Sequence, residues 1–219
     1  MVNKSLLLVE GEFDQSFYKH FCRSHNLDTK VTIFPPKQLG ATFNTKQGAI
    51  NHLPSLLQQL DDGQLNRLAM IVDADSASNG GGFDLTLIQV KNQLIPFGFD
   101  PSPQKLQNGG LVFSHSDGLA DFGLWIMPNN HSDGILENWI AQSIASSEQT
   151  LFDKASSIVS KIQNPKFAEI RRSKAEIATW LAWQDRPGEG LYYAVTGNLL
   201  NSQGSHYVGL HQWLIRVFK

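Results

Sequence analysis

Short apolar runs alternate with amphipathic stretches through the first half of this chain, and that alternation leaves few folds open. Leu6-Leu7-Leu8-Val9 is continuously apolar, as a strand covered on both faces must be. Phe13, Phe17 and Phe21 follow at intervals of four, with Tyr18 and Cys22 beside them. That spacing predicts a helix with one stripe in a core. Residues 29–34 are short and β-branched, a second strand stopped by Pro35-Pro36. Ile50, Leu53, Leu56, Leu57 and Leu60 mark a second helix that ends near Asp62-Gly63. Residues 68–72 make a third strand, and Leu85, Ile88 and Leu94 place a third helix before Pro96. Three strands each followed by a helix predict an α/β fold, a mostly parallel sheet flanked by crossover helices. Residues 111–113 and 122–127 read as two further strands. Beyond Ile135 the pattern turns helical, over 136–144, 151–162, 175–183 and 210–218. The expected organisation is an α/β domain over 1–147, with a helical C-terminal extension over 148–219 packed on it and not independent of it.

Composition removes several classes of function. With 219 residues the chain can bury a core without metal or disulfide staples. It is 41% hydrophobic and 17% charged, a balance that excludes wholesale disorder. A formal net charge of -2 excludes a strongly basic nucleic-acid coat but leaves room for a local basic groove. No apolar run is long enough to span a bilayer, and the first residues carry no signal-peptide pattern. The single cysteine, Cys22, excludes an internal disulfide and a multi-cysteine zinc site. These points predict a soluble cytoplasmic protein with no membrane partner.

The acids carry the chemical signal. Glu10 directly follows the first strand and opens Glu10-Gly11-Glu12-Phe13-Asp14; Asp73-Ala74-Asp75 directly follows the third. Sites of open α/β sheets form at the carboxyl ends of strands. Gly11 suits a tight strand-to-helix turn, and Asp73 and Asp75 can reach one ion if the chain stays extended or turns just beyond the strand. Clustered carboxylates repel one another unless a cation lies between them. Mg²⁺, or Mn²⁺ in its place, fits an all-oxygen donor set of this kind and serves phosphoryl transfer. A strand-end Asp-X-Asp also serves simply to cap a helix or solvate a turn.

Leu7-Leu8-Val9-Glu10-Gly11 with Asp14, followed by Ile71-Val72-Asp73-Ala74-Asp75, resembles the Toprim (topoisomerase-primase) domain. The resemblance covers roughly the first 145 residues. It implies a Toprim-like sheet, a general acid/base or metal ligand at Glu10, and Mg²⁺ ligands at Asp73 and Asp75. A closer resemblance spans the whole chain, through Trp125-Ile126-Met127-Pro128-Asn129-Asn130, Gly134-Ile135-Leu136-Glu137, Thr179-Trp180-Leu181-Ala182-Trp183 and Pro187-Gly188. These segments are similar to a small bacterial Toprim-like family that carries only a domain-of-unknown-function label, related to the overcoming-lysogenization-defect (OLD) nucleases. That family has an aspartate where this chain has Asn129, so a third acidic ligand must come from elsewhere. OLD nucleases couple Toprim to an ATPase, which here would be a separate partner protein.

Further candidates surround these motifs. Asp133 and Glu137 are four apart at the expected start of a helix and would share a face as extra metal ligands. The plainer reading is two acids at the positive end of a helix dipole. Gly11, Asp14 and Asn130 are secondary site candidates. Lys166, Arg171, Arg172 and Lys174 form the one basic cluster, suited to a phosphate backbone or to a solvated helix face. His131, near the acidic loop, reads as solvated. Trp180 and Trp183 suit packing better than base stacking. The 76–82 loop, with Gly80-Gly81-Gly82, offers flexible amides to a phosphate but has no P-loop lysine. The expected function is Mg²⁺-dependent phosphodiester hydrolysis on nucleic acid, with DNA or RNA undecided. Asp73 and Asp75 would hold the metal, and Glu10 would complete the shell or move the proton of the attacking water. The competing expectation is a non-catalytic module that binds nucleic acid or a partner through a structural metal.

Overall fold

The computed structural model describes residues 4–34 and 45–219. Pro35-Pro36, the expected stop of the second strand, lies outside the described residues. Six strands form one sheet in the order β2-β1-β3-β6-β5-β4. They are β1 (Ser5–Val9), β2 (Lys30–Ile33), β3 (Arg67–Asp73), β4 (Gln104–Lys105), β5 (Leu111–Phe113) and β6 (Phe122–Met127). β2, β1, β3 and β6 run parallel, while β4 and β5 continue the sheet antiparallel. The α/β expectation therefore holds, with β4 as an edge that hydrophobic pattern could not show because both its residues are exposed.

Helices cover both faces. α1 (Glu12–Ser24), α4 (Leu136–Gln142), α6 (Arg172–Ala182) and α8 (Ser205–Phe218) bury side chains with Leu7, Val9, Ile71 and Trp125. α2 (Lys46–Asp61) and α3 (Phe83–Leu94) pack with Leu6, Leu8, Met70 and Ile126 on the other side. Alternate residues of β1 thus enter opposite cores, which is why the run had to be apolar throughout. α5 (Gln149–Ser160) lies against α6, and a short α7 (Tyr193–Thr196) lies against α1.

The path of the chain creates one switch point. From β1 it crosses one face through α1 to β2; from β2 it crosses the other face through α2 to β3. β2 and β3 flank β1 on opposite sides, so the loops after β1 and β3 diverge and leave a crevice at their carboxyl ends. Glu10 and Asp73 stand at that crevice.

Two of the apolar stripes differ from expectation. Phe13 is 73% exposed, although Phe17 and Phe21 are buried. It occupies the first turn of α1 and lines an open cavity with Glu137, Lys174 and Leu191. In α3 the buried face is Thr86, Val90 and Leu94, while Leu85 and Ile88 are exposed. Among the described residues no helix is long and apolar enough to cross a membrane.

Candidate functional site

Glu10 leaves β1 and turns its carboxylate toward the neighbouring strand. Its Oε1 accepts the Asp73 backbone N–H at 2.7 Å. Burial, then the charge of Asp14, push its pKa up to about 8, with Asp75 adding and the Asp73 amide and Lys46 opposing. Asp14 lies in the first turn of α1, where burial and then Glu137 push it up to about 6 against the pull of Lys174. Asp73 ends β3, and its Oδ1 accepts the N–H of Leu136, the first residue of α4, at 2.9 Å. Burial and then the charges of Glu10, Asp14 and Glu137 raise it well above the usual carboxylate range.

Glu137, on α4, is buried; its Oε1 accepts from Lys174 Nζ at 3.1 Å, and its Oε2 has no partner. Beneath these groups Tyr18 is fully buried with an unpartnered hydroxyl. Asp14, Asp73 and Glu10 help to raise its pKa, after burial. Asp14 and Asp73 thus feel the charge of Glu137, and Glu10 and Asp73 that of Asp14, with Lys174 as a counter-ion from α6.

Asp75 goes elsewhere. It adopts the left-handed conformation, φ 62°, which aspartate tolerates better than most residues. Its backbone exchanges two 2.9 Å hydrogen bonds with Gly134, stitching the loop after β3 to the loop after β6. Its Oδ2 pairs with Lys46, the first residue of α2, at 2.5 Å. Asp73 thus binds a helix on one face of the sheet and Asp75 a helix on the other. Of the two paths the sequence allowed, extended or turning just beyond the strand, the chain takes the turn, and it carries the Asp75 carboxylate to Lys46.

Asp133 and Glu137 do not share a helix face, because α4 begins only at Leu136. Asp133 reaches back across the crevice: Oδ2 accepts from Ala77 N at 2.8 Å and Oδ1 from Phe83 N at 3.0 Å. Those two amides hold its pKa below the usual value. Its task is to cap the loop and the start of α3. Among the described residues, no group of three or more histidine, cysteine, aspartate or glutamate side chains is placed to hold a metal ion.

The family profile described as "Protein of unknown function (DUF3226)" matches residues 4–219. The chain belongs to the DUF3226 family. No curated protein and no solved structure matches it.

The remaining candidates of the DUF3226 chain fall as follows. Gly11 has an ordinary extended backbone, φ -140°; a side chain there would only approach Asp14 Oδ2 at 3.3 Å. Asn130 is buried, and its Oδ1 accepts from Ile126 N at 2.6 Å, closing the turn after β6. The amides of Gly80, Gly81 and Gly82 bond to Ala77 O, Ser76 O and Ala74 O, so the loop is internally tied rather than a free anion cradle. The basic cluster is divided. Lys174 serves Glu137, Arg172 pairs with Glu169 at 2.7 Å, and Lys166 and Arg171 stay exposed. A cavity of about 420 Å³ opens beside Asp75, between Gly134 and Ile135 and the segment with Glu169, Arg172 and Glu176. Trp180 is fully buried and Trp183 is 39% exposed. His131 is exposed.

Sequence reasoning missed Lys46 and Tyr18 as neighbours of the acids, and gave no sign that Lys174 of the basic cluster pairs with Glu137. One sign of Lys46 was present: a lysine in the first turn of a helix opposes the macrodipole and needs a compensating partner. Tyr18 sits in an apolar stripe and carries no sign at all.

Proposed function

We propose that this protein is a divalent-cation-dependent phosphoryl-transfer enzyme acting on nucleic acid, cleaving phosphodiester bonds, with a Toprim-like arrangement of its acids. The observation that carries the reading is the pair Glu10 and Asp73. They sit on adjacent parallel strands at the switch point and touch through the Asp73 amide, with both pKa values driven upward. Such a site has more carboxylates than the lysines near it can balance, and it is built from hard oxygen donors. Mg²⁺ is commonly held by one or two carboxylates with water completing its shell, so Glu10 and Asp73 suffice in number. The unpartnered Oε2 of Glu137 leaves a further buried acceptor.

When bound, the ion would neutralise charge on a phosphate and activate water. The chain's own residues do the rest. Glu10 either completes the shell of the ion or, left free of it with its carboxyl pushed up to about 8, moves the proton of the attacking water. Lys174, half-exposed beside Glu137, offsets the charge of an incoming phosphate. Arg172, on the cavity beside Asp75, offers the backbone a contact.

The test is incubation with single- and double-stranded DNA and RNA in Mg²⁺, Mn²⁺ or EDTA, beside Asp73→Asn. The expected result is metal-dependent cleavage that falls by on the order of 10²-fold or more in the variant. A second reading, a non-catalytic module that binds nucleic acid or a partner, is favoured by the diversion of Asp75 to Lys46 and by the absence of a three-acid group among the described residues. Glu10→Gln separates the two: it abolishes turnover in an enzyme and leaves a binder's affinity in place.

A further inference from the structure

Lys46 is more completely enclosed by oxygen than an ion pair requires. Its Nζ lies 2.5 Å from Asp75 Oδ2, 3.0 Å from Ala74 O, 3.1 Å from Asp73 O and 3.4 Å from Thr86 Oγ1. An ammonium has three N–H donors, so four oxygens exceed what it can hydrogen-bond at once. Two of them are backbone carbonyls that converge where β3 ends, and Thr86 is fully buried in α3. The lysine side chain itself is only 16% exposed. Carbonyl, carboxylate and hydroxyl oxygens gathered around one positive centre are the donor set of a hard cation. The position of Lys46 in the first turn of α2 works against the helix dipole, so this cage is what holds the charge there.

We propose that the Lys46 ammonium fills a second cation position at the end of β3. The protein then takes a single divalent ion, at Glu10 and Asp73, and Asp75 is the partner of Lys46 rather than a metal ligand. The placement of that single ion rests on the function proposed above; the lysine-filled position does not.

Mn²⁺ titration by calorimetry and by electron paramagnetic resonance of the bound ion tests this, on the full chain, Lys46→Met and Asp75→Asn, with circular dichroism to check folding. The expected result is one ion in the natural chain, one in Asp75→Asn, and two in Lys46→Met, where the vacated oxygens accept a second. Two ions in the natural chain, or no gain in Lys46→Met, overturns the proposal. Loss of the single ion in Asp75→Asn also overturns it, even if Lys46→Met does not fold. No ion in the natural chain but one in Lys46→Met separates the two ideas: the lysine-filled position stands and the Glu10–Asp73 metal site falls.

Discussion

Glu10 shows how a residue can be legible in place and illegible in state. Its position after an apolar strand is plain from the sequence, but the push of its pKa up to about 8 comes from burial, then Asp14 and Asp75, which only the fold supplies. The shift has a definite consequence for stability. Between the ordinary 4.5 and about 8 the folded chain holds a proton on Glu10 that the unfolded chain has released. The destabilisation is therefore absent below that window, grows across it and is complete above it. The raised Asp73 acts in the same direction. His25, pushed down to about 4 by burial and by His211, acts oppositely below the ordinary 6.5, and His52 and His211 are lowered too. Their contribution is nearly complete by about pH 7, so the acids dominate from there to about pH 8. In EDTA the melting temperature should fall across that interval, and Glu10→Gln should flatten the fall. Mg²⁺ should reverse it by favouring the ionised carboxylates. A melting temperature that rises with pH in EDTA would rule out this state of Glu10. Asp75 is the opposite case. Its identity and spacing suggested a metal ligand, and nothing local could show that Lys46, 29 residues away, takes its carboxylate.

At the level of elements, the sequence reading located strands better than the faces of helices. Both cores require continuous apolar strands, and such runs are visible. Helix α3 was placed correctly by its leucines, yet its buried side is set by Thr86, which meets Lys46. The loop after β3 shows the same dependence on distant groups. Glycine richness suggested freedom, but the loop is held by its own amides and by Asp133 from the loop after β6. A side chain at Gly81 would come within 2.8 Å of the Asp75 Cβ and 2.9 Å of Ala74 O, so the loop packs closely on the strand end. Asp133→Ala should lower the melting temperature by a few degrees through the lost caps, while Mn²⁺ affinity in the same preparation stays unchanged. A large loss of affinity with no change in melting would instead make Asp133 a ligand.

The α/β half and the helical extension of the molecule share one hydrophobic core. A division near residue 147 follows the change from alternating to helical pattern, but the hydrophobic core ignores it. Trp180, Leu210, Trp213 and Val217 belong to the same buried cluster as Leu7, Phe17 and Trp139. The C-terminal helix α8 meets the sheet region at glycines. A Cβ at Gly110 would lie 2.1 Å from Trp213 Cδ1, and one at Gly123 in β6 would lie 2.6 Å from Val217 Cγ2. Arg67 of β3 also donates to Val217 O at 3.0 Å. Lys174 brings the helical half into the site itself, as the ion partner of Glu137. Gly123→Ala should destabilise the chain by about 1–3 kcal/mol, the usual penalty for overpacking a filled core, measured by urea unfolding. A chain cut to residues 1–147 should lose the partners of Trp139 and Trp125 and expose the part of that sheet face, at β3 and β6, which α8 covers. It should then lack a cooperative unfolding transition and bind a hydrophobic dye. If that fragment instead unfolds cooperatively, its acids can form a site without Lys174, and the helical half does not help to build it. Loss of cooperativity means that the acids at the switch point and the lysine that balances them are assembled only when the last helix docks.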